Sequence, residues 1–419
     1  MRRYKLKEIS NIYNGSTPST SDASNYDGDI IWITPKDLSN QKSKYVSKGE
    51  RNITEKGYKN CSTTMLPKGT ILLSSRAPIG LLAIAKTELC TNQGFKNIVP
   101  QKELVDNNYL YYLLRLKIKE IEALGSGTTF KEVSKTSLEN YEIDIHDIAE
   151  QQKISNILNA IDDKIALNNK INQELEQMAK TLYDYWFVQF DFPDEKGRPY
   201  KSANGKMVYN EVLKREIPEG WEVGTLRDIC KIIRGVSYDK KVISDMYLKE
   251  FTPIFRANNI DNGHINYDSL VYVPNDLINS SQIIRKNDVI MTMSSGSLNH
   301  LGKTYKSKTN MDCSYGAFCS KITPTDNYRH YLSSFLSSRS FQIYIKNMCL
   351  GTNINNLNND HIYSAPICIP NTSLLDSFNS IADTIFSEIG KNEQENIELV
   401  QVRDFLLPLL MNGQVSVQN

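Results

Sequence analysis

The chain has 419 residues, enough for two to four domains with cores of their own. Its hydrophobic content is 40%, and no apolar run approaches the roughly 18 residues that a membrane-spanning helix needs. The opening MRRYKLKEIS lacks the apolar stretch of a secretory signal, and the seven cysteines form no CxxC pair. We therefore expect a reduced, cytoplasmic protein without a zinc site.

The net charge of +1 gives no sign of a nucleic-acid partner, but the charge is unevenly distributed along the chain. Residues 1–147 carry +4, residues 148–195 carry −5, residues 196–371 carry +7 and residues 372–419 carry −5. Two mildly basic blocks thus alternate with two acidic segments, which favours two anion-binding regions. Ordinary variation between surface segments is the alternative and stays open.

The first block, residues 1–147, predicts a mixed α/β domain. Its opening segment, residues 5–14, has helical spacing and precedes Gly15, a suitable C-cap. The rest alternates between short strands and one helix, with strands at 30–34, 66–75, 81–85 and 141–145 and the helix at 109–124.

Residues 148–190 predict one long amphipathic helix. Apolar residues recur at helical spacing without an interrupting glycine or proline, close to the coiled-coil period. At 1.5 Å per residue, some 40 residues extend over roughly 60 Å, too long for one small domain to bury. The helix therefore requires a partner. The Pro-, Gly- and Lys-rich residues 191–221 then read as a connector.

The partner is a second copy of the same pattern. Residues 222–371 repeat the first block and residues 372–415 repeat the helix, at an offset of about 220–224 residues. In the helices, Ile154 falls on Phe378, and in the blocks Gly15 falls on Gly235. The predicted fold class is mixed α+β, with two homologous α/β domains separated by two long helices that form an antiparallel coiled coil.

The predicted coiled-coil seam follows from the heptad spacing. It comprises Ile154, Ile157, Ile161, Asn168, Leu175, Leu182, Phe378, Ile381, Ile385, Asn392, Leu399 and Leu406. The helix midpoints allow a sharper prediction, that Asn168 lies near Asn392 with Lys164 and Glu388 nearby, as a polar layer that fixes the register. The alternative is that these residues are solvated and that Ile165 and Ile389 fill the seam.

Motifs for catalysis are missing from the sequence. No NPPY-type methylation motif or glycine-rich cofactor loop follows a strand, and the phosphate-loop-like GSLNHLGKT (296–304) has five residues between its glycines where four are required. The five histidines have no metal-ligand spacing. We expect a non-catalytic chain without metal or cofactor.

Two variable blocks, each followed by a matching long helix, resemble the specificity subunit of type I restriction–modification systems. The resemblance covers essentially the whole chain. The motifs that carry it are GSTP (15–18), WITPKDL (32–38), KGTILLSSRAPIG (68–80), NQGFKNIVP (92–100), AEQQKISNILNAIDDKI (149–165) and the connector FPDEKGRPYKSANGKMVYNE. The second block departs from the pattern, with Gly235-Val236-Ser237-Tyr238 in place of GSTP.

The resemblance implies a protein that reads double-stranded DNA at a bipartite, asymmetric site. Residues 1–147 and 222–371 would be target-recognition domains, each binding one half-site, and the helices would set the distance between the halves. Two methyltransferase (modification) subunits and restriction/translocase subunits would join it, and the assembled complex would methylate adenine and cleave DNA.

Polar loop residues at the predicted strand ends are the candidate DNA contacts, because Arg reads guanine, Asn reads adenine, and Lys and Ser more often hold phosphate. In the first block they are Ser16, Thr17, Lys36, Ser75, Arg76, Lys96, Thr128 and Lys131. In the second they are Arg234, Ser237, Arg256, Asn258, Asn259, Ser294, Ser295, Asn299, Lys303 and Asn353.

Two questions stay open at this point. A coiled-coil adaptor with two protein-binding heads and no DNA role is the alternative function, and the absence of salt-dependent DNA binding would favour it. The aromatic end of the first helix (Tyr183, Tyr185, Trp186, Phe187) either contacts partner subunits or caps the coiled coil against a recognition domain.

Overall fold

The computed structural model describes residues 1–39, 41, 43–126, 131–261, 263–267, 269–296, 300–349 (the backbone only at 349) and 356–417. The chain divides into two compact units, each with part of both long helices. Unit 1 comprises Met1–Asn168 and Glu395–Asn419, and unit 2 comprises Asn169–Gln394. No helix within the described ranges is long and apolar enough to cross a membrane.

The N-terminal part of the chain alternates short strands and helices before the first long helix. Its elements are β1 (Arg2–Lys5), α1 (Leu6–Ile9), β2 (Ser10–Asn14), β3 (Tyr26–Ile30), β4 (Trp32–Ile33), α2 (Pro35–Ser39), β5 (Tyr45–Val46), α3 (Glu55–Lys59), β6 (Ile71–Ser75), β7 (Ile79–Ala85), β8 (Cys90–Thr91), β9 (Phe95–Pro100), α4 (Asn107–Leu116), α5 (Ile118–Ala123), α6 (Lys135–Glu139), β10 (Glu142–Ile145) and α7 (Ile148–Tyr183). A π-helical turn, Asp184–Val188, follows α7.

The second part begins with a hairpin in the connector and ends with the second long helix. Its elements are β11 (Met207–Asn210), β12 (Arg215–Pro218), β13 (Glu222–Thr225), β14 (Cys230–Arg234), β15 (Phe251–Phe255), β16 (Ile260–Asp261), β17 (His264–Ile265), β18 (Val271–Pro274), β19 (Val289–Thr292), β20 (Thr304–Lys306), β21 (Ser314–Tyr315), β22 (Cys319–Pro324), α8 (Arg329–Ser337), α9 (Arg339–Cys349), α10 (Asn359–Tyr363), β23 (Pro366–Ile369) and α11 (Thr372–Met411).

The main sheets of the two units share the order of four strands, and the sheet of unit 1 has β5 as a fifth strand. In unit 1 the order is β2-β9-β6-β7-β5, and in unit 2 it is β14-β22-β19-β20. The register is also shared, because Ile12 pairs with Ile98 and Ile232 pairs with Ile322. A separate ladder, β1 with β10 or β13 with β23, precedes each long helix. The structure confirms the mixed α/β fold and its internal repeat.

The start of each block differs from the predicted helix. Only one helical turn, α1, forms in the first block, and strand β2 follows it because Ser10–Asn14 alternates buried and exposed side chains. Gly15 is therefore no helix cap. A Cβ there would lie 2.0 Å from the carbonyl oxygen of Asn92, and at Gly235 it would lie 2.2 Å from that of Gly316. Both glycines allow a close approach of two backbone segments.

The core of each unit extends from its sheet onto the long helices. In unit 1, Ile154 and Leu158 of α7 and Leu410 of α11 pack with the helix α4 residues Tyr109 and Leu113. The corresponding core of unit 2 contains Phe378 of α11 and residues at the end of α7. The ring of Phe187 lies 4.9 Å from that of Phe378 and 4.7 Å from that of Tyr331, measured between centroids.

The aromatic end of α7 therefore caps the second block. Tyr183, Trp186 and Phe187 are buried in the core of unit 2, whereas Tyr185 is exposed. Of the two roles considered for this cluster, the structure shows packing of the helix end against the second globular block.

The polar layer between the long helices has different partners from those predicted. In unit 1, the Asn168 amide donates to Glu395 Oε2 (2.7 Å) and to Asn396 Oδ1 (3.0 Å). In unit 2, the Asn392 amide donates to Asn172 Oδ1 (2.8 Å). Each asparagine thus faces a residue one helical turn beyond the predicted partner. Residues four apart lie on one helix face, so the heptad pattern does not distinguish these registers.

The charged residues predicted beside this layer are also paired differently. Lys164 forms an ion pair with Glu395 (3.1 Å), and Glu388 pairs within its own helix with Lys391 (3.3 Å). Hydrogen bonds from Asn168 and then Lys164 hold the pKa of Glu395 below its usual value. The apolar alternative holds only in part. Ile389 is fully buried with Ala179 and Ile385 and Ile165 is half-buried, but Asn168 and Asn392 are buried rather than solvated.

The predicted seam is wrong at Ile381, and at the equivalent Ile157 the next residue is the more deeply buried one. Ile381 is 45% exposed and Ile157 only half-buried, whereas the next residues, Ala382 and Leu158, are fully buried. The spacing after Ile154 and Phe378 is therefore four residues rather than three. Both seam ends pack against a globular core, which selects the helix face that turns inward. The other predicted seam positions are buried or half-buried.

Candidate nucleic-acid interface

The strand order of unit 1 brings three loops to one edge of the sheet, and the segment at Val133 joins them there. In antiparallel neighbours, the carboxyl ends of β2 and β6 lie beside the amino ends of β9 and β7. Backbone bonds join these loops, from Ser16 N–H to the Thr91 carbonyl (3.0 Å), from Ser75 N–H to that of Gly94 (2.7 Å), and from Val133 N–H to that of Ser75 (3.0 Å). We call this the loop edge of unit 1.

Unit 2 has the same edge, built from the loops after β14 and β19 and before β22 and β20. Val236 N–H donates to the Tyr315 carbonyl (2.8 Å), and Met293 N–H donates to that of Phe318 (2.8 Å). Leu357 N–H donates to the Met293 carbonyl (2.7 Å), which joins the segment before α10 to the same place. We call this the loop edge of unit 2.

Most candidates of the first block lie at or beside its loop edge with accessible side chains. Lys131 is exposed, Arg76 is partly exposed, and Ser16 and Thr17 are half-buried. The Thr17 hydroxyl donates to the Gln93 side chain, which ties two loops of the edge together. Lys36 is exposed and forms an ion pair with Glu50 (2.6 Å). Thr128 lies outside the described residues.

Two candidates of the first block are buried framework residues, so the prediction that they contact DNA is corrected. The Ser75 hydroxyl donates to the Gly94 carbonyl (3.2 Å) and has no exposed surface. Lys96 is buried, and its Nζ lies 2.9 Å from a carboxylate oxygen of Glu132. The predicted strand end did not reveal which side chains point inward.

Five candidates of the second block have accessible side chains. Arg234, Ser237 and Asn258 are exposed, and Ser294 and Ser295 are half-buried. Arg234 Nε donates to the Ala317 carbonyl (3.1 Å), so its guanidinium is held beside the loop before β22. Asn299 and Asn353 lie outside the described residues.

Three further candidates of unit 2 are engaged in the framework. Asn259 is buried, where its side chain accepts the Arg256 N–H (2.9 Å) and donates to the Asn266 carbonyl (2.9 Å), so its prediction as a DNA contact is corrected. Arg256 is half-buried and donates through a terminal nitrogen to the Ser269 carbonyl (2.6 Å). Lys303 pairs with Asp261 (2.9 Å).

Two residues at the loop edges were missed by the sequence analysis. Glu132 pairs with Lys96 and approaches Arg76 (3.9 Å), which reduces the positive charge of the first edge. Phe318 is 65% exposed in the middle of the second edge. Its signal in the sequence is an aromatic residue directly after the turn residues Gly316 and Ala317.

A buried charged cluster lies in unit 2, where β20 and α8 meet α11. Lys306 contacts the ring nitrogen Nδ1 of His330, and His330 Nε2 lies 2.7 Å from Asp383. Arg329 also donates to Asp383 (2.6 Å). Burial, with Lys306 nearby, lowers the pKa of His330 to about 3, so the imidazole is neutral. Within the described residues, no group of three His, Cys, Asp or Glu side chains could hold a metal ion.

Comparison with known proteins identifies the family. Residues 1–177 and 218–399 match the type I restriction modification DNA specificity domain. The specificity subunit of the type I restriction enzyme MjaIX from Methanocaldococcus jannaschii is 36% identical over 99% of this chain and 93% of its own length. That of EcoKI from Escherichia coli K12 is 28% identical over 48% of this chain and 44% of its own.

A solved structure shows the same fold. The crystal structure of a type I restriction–modification S subunit from M. genitalium matches 98% of this chain and 95% of that chain with a TM-score of 0.55, at 16% sequence identity. The family match covers both units, and the relative from M. jannaschii covers nearly the full chain. The chain therefore belongs to the type I restriction–modification DNA specificity family, as a non-catalytic specificity subunit.

Proposed function

We propose that this subunit reads a bipartite, asymmetric site on double-stranded DNA, with residues 1–147 binding one half-site and residues 222–371 the other. The observation that carries the proposal is the pair of loop edges. Both are built on one sheet topology with one register, yet their accessible polar residues differ. A common frame with different loops is what two half-sites of different sequence require.

The chemistry of the accessible residues supports base and phosphate contacts at each edge. Arg234 is held beside the second edge with its terminal nitrogens available, which suits bidentate recognition of guanine. Arg76 and Lys131 supply positive charge at the first edge, where Glu132 offsets part of it. The modest net charge of these blocks implies that partner subunits supply many of the phosphate contacts.

The long helices would hold two methyltransferase subunits, with restriction/translocase subunits joining for cleavage. In unit 1, Leu167, Ile397 and Phe405 are large apolar side chains exposed on these helices, and Met178 and Ile381 are exposed on them in unit 2, at positions that the repeat does not relate to the first three. Apolar side chains in water on the faces of paired helices suit a helical partner.

Domain exchange tests the bipartite model. The subunit would be co-expressed with its cognate methyltransferase subunits, and methylated adenines would be mapped across the host genome by single-molecule sequencing. Exchange of residues 1–147 for the corresponding block of another family member should alter one half-site and leave the other unchanged. The reciprocal exchange of residues 222–371 is the matched control. A change of both half-sites in either exchange would contradict one half-site per domain.

Partner docking has a separate test. Phe405→Asp should abolish co-purification of the methyltransferase subunits, because a carboxylate replaces an apolar ring that is 67% exposed. Val208→Asp, on the exposed connector strand β11, is the control and should leave co-purification intact. Equal behaviour of the two variants would exclude the unit 1 helix face as the docking surface.

A further inference from the structure

Phe318 is an aromatic side chain that the fold holds in water. It sits in a tight turn, in which Cys319 N–H donates to the Gly316 carbonyl (2.8 Å). The Phe318 carbonyl accepts the N–H groups of both Met293 (2.8 Å) and Ser294 (3.2 Å). The backbone on both sides of the ring is therefore fixed, although the ring itself is 65% exposed.

The equivalent position in unit 1 shows that the fold does not need an aromatic residue there. It is Gly94, whose carbonyl accepts the N–H of Ser75 as the Phe318 carbonyl accepts that of Met293. A Cβ on Gly94 would meet Pro35 at 2.8 Å, so unit 1 has no room for a side chain at this point. The backbone role is common to both units, and only unit 2 adds an exposed ring.

The surroundings of the ring are polar and basic. Arg234 donates to the carbonyl of Ala317, the residue next to Phe318, and Gln282 in turn donates to the Arg234 carbonyl (3.0 Å). Ser237 and Ser294 belong to the same edge. Among the described residues of this edge, an exposed apolar ring beside hydrogen-bonding groups suits DNA better than a protein surface, where apolar side chains cluster at the centre.

We propose that the ring of Phe318 inserts at a base step of the half-site read by unit 2 and stacks on a base. This inference rests on the proposed function. Base–aromatic stacking changes affinity by about 5- to 150-fold per base, and a ring on a fixed backbone loses little freedom on binding. Flexible pyrimidine–purine steps open most readily to such a wedge. Phe318 is thus a specificity-determining residue that favours one half-site through its deformability.

The test uses the complex with its methyltransferase subunits and a duplex of the site that methylation mapping defines. Phe318→Ala should weaken binding by about tenfold or more, Phe318→Trp should retain it, and Phe318→Leu should fall between them. With 2-aminopurine placed in turn at each position of the half-site, the wild-type complex should brighten one position, and Phe318→Ala should lose that signal.

Tyr209→Ala is the matched control, because Tyr209 is 57% exposed on the connector strand β11. Equal affinity of Phe318→Ala and Tyr209→Ala, with wild-type methylation intact, would overturn the stacking role alone. Loss of methyltransferase co-purification in Phe318→Ala would instead assign the ring to a protein contact and also overturn it. Absence of site-specific methylation by the wild-type complex would contradict the proposed function itself.

Discussion

The two units fill one equivalent position in opposite ways. In unit 1, Arg403 of α11 donates to Asp162 of α7 (2.8 Å), and both side chains are nearly buried. The Tyr112 hydroxyl donates to the same carboxylate (2.5 Å), and Lys44 lies 3.8 Å from it. At the repeat offset of 224 residues, Ala179 replaces the arginine and Phe386 replaces the aspartate in unit 2.

The difference between Arg403 with Asp162 and Ala179 with Phe386 changes the space beside the long helices as well as the charge. Ala179 and Phe386 line a cleft of about 1120 Å³ in unit 2, which several serines of α8 and its C-terminal end also line. In unit 1 the charged cluster occupies its position beside α4, where burial, with Asp162 nearby, holds the pKa of Tyr112 well above its usual range. The same fold therefore accommodates either the ion pair of Arg403 with Asp162 or the pair Ala179 with Phe386, provided that both residues change together.

The largest expected effect comes from breaking the charged solution of unit 1. Arg403→Ala leaves Asp162 buried with one cation removed, and should lower the free energy of unfolding by about 3–5 kcal/mol. Urea denaturation of the full chain measures the loss. Lys36→Ala, which removes an exposed ion pair with Glu50, is the control and should leave the free energy of unfolding nearly unchanged.

The comparison itself is tested by the double variant Arg403→Ala with Asp162→Phe, which installs the residues of unit 2. It should be more stable than Arg403→Ala alone, because the nearly buried carboxylate that lost Arg403 is no longer present. If the losses in free energy of unfolding of the two single variants simply add in the double variant, the ion pair of unit 1 and the residues of unit 2 are not interchangeable at this position.

A smaller difference is expected between the two polar layers. Asn168 donates to the carboxylate of Glu395 in unit 1, whereas Asn392 donates to the neutral amide of Asn172 in unit 2. Asn168→Ala should therefore be somewhat more destabilising than Asn392→Ala, because hydrogen bonds to charged groups contribute more. Calorimetry of the two variants at matched pH would decide, and the reverse order would contradict this account.

The smallest effect is a pH dependence from His330 of unit 2. Because its pKa is lowered to about 3 in the folded chain, the unfolded chain binds more protons between that pH and about 6.5. Stability is therefore fully present above pH 6.5 and falls on acidification, by on the order of 1 kcal/mol at pH 5.5. The lowered pKa of Asp383 acts in the same direction at lower pH.

His330→Asn keeps a polar side chain without a titrating ring, and should reduce the loss of melting temperature between pH 7.5 and 5.5. His146 of unit 1 is the histidine to compare with His330. The Tyr109 hydroxyl lies 2.9 Å from the His146 ring, and burial lowers the pKa of His146 as well. An unchanged pH profile in His330→Asn would assign the acid sensitivity elsewhere.

The interface shows where sequence reasoning stops. The structure brings the predicted strand-end loops together at one edge of each sheet, and Arg234 and Lys131 are exposed there. Ser75 and Asn259 have the same residue types in the same kind of position, yet both are buried in backbone hydrogen bonds. Their orientation depends on which carbonyls and N–H groups from distant segments remain unsatisfied, which a linear pattern does not contain.

The sequence by itself determined the repeat, the two α/β blocks and the two long helices, because hydrophobic spacing and a fixed offset are properties of the linear chain. The tertiary structure decided the partners of Asn168, the inward face of α11 at Ala382 and the filling of the equivalent site by Arg403 or Ala179. These features depend on side chains hundreds of residues apart that meet in one core. Registers one helical turn apart satisfy the same periodicity, and only packing distinguishes them.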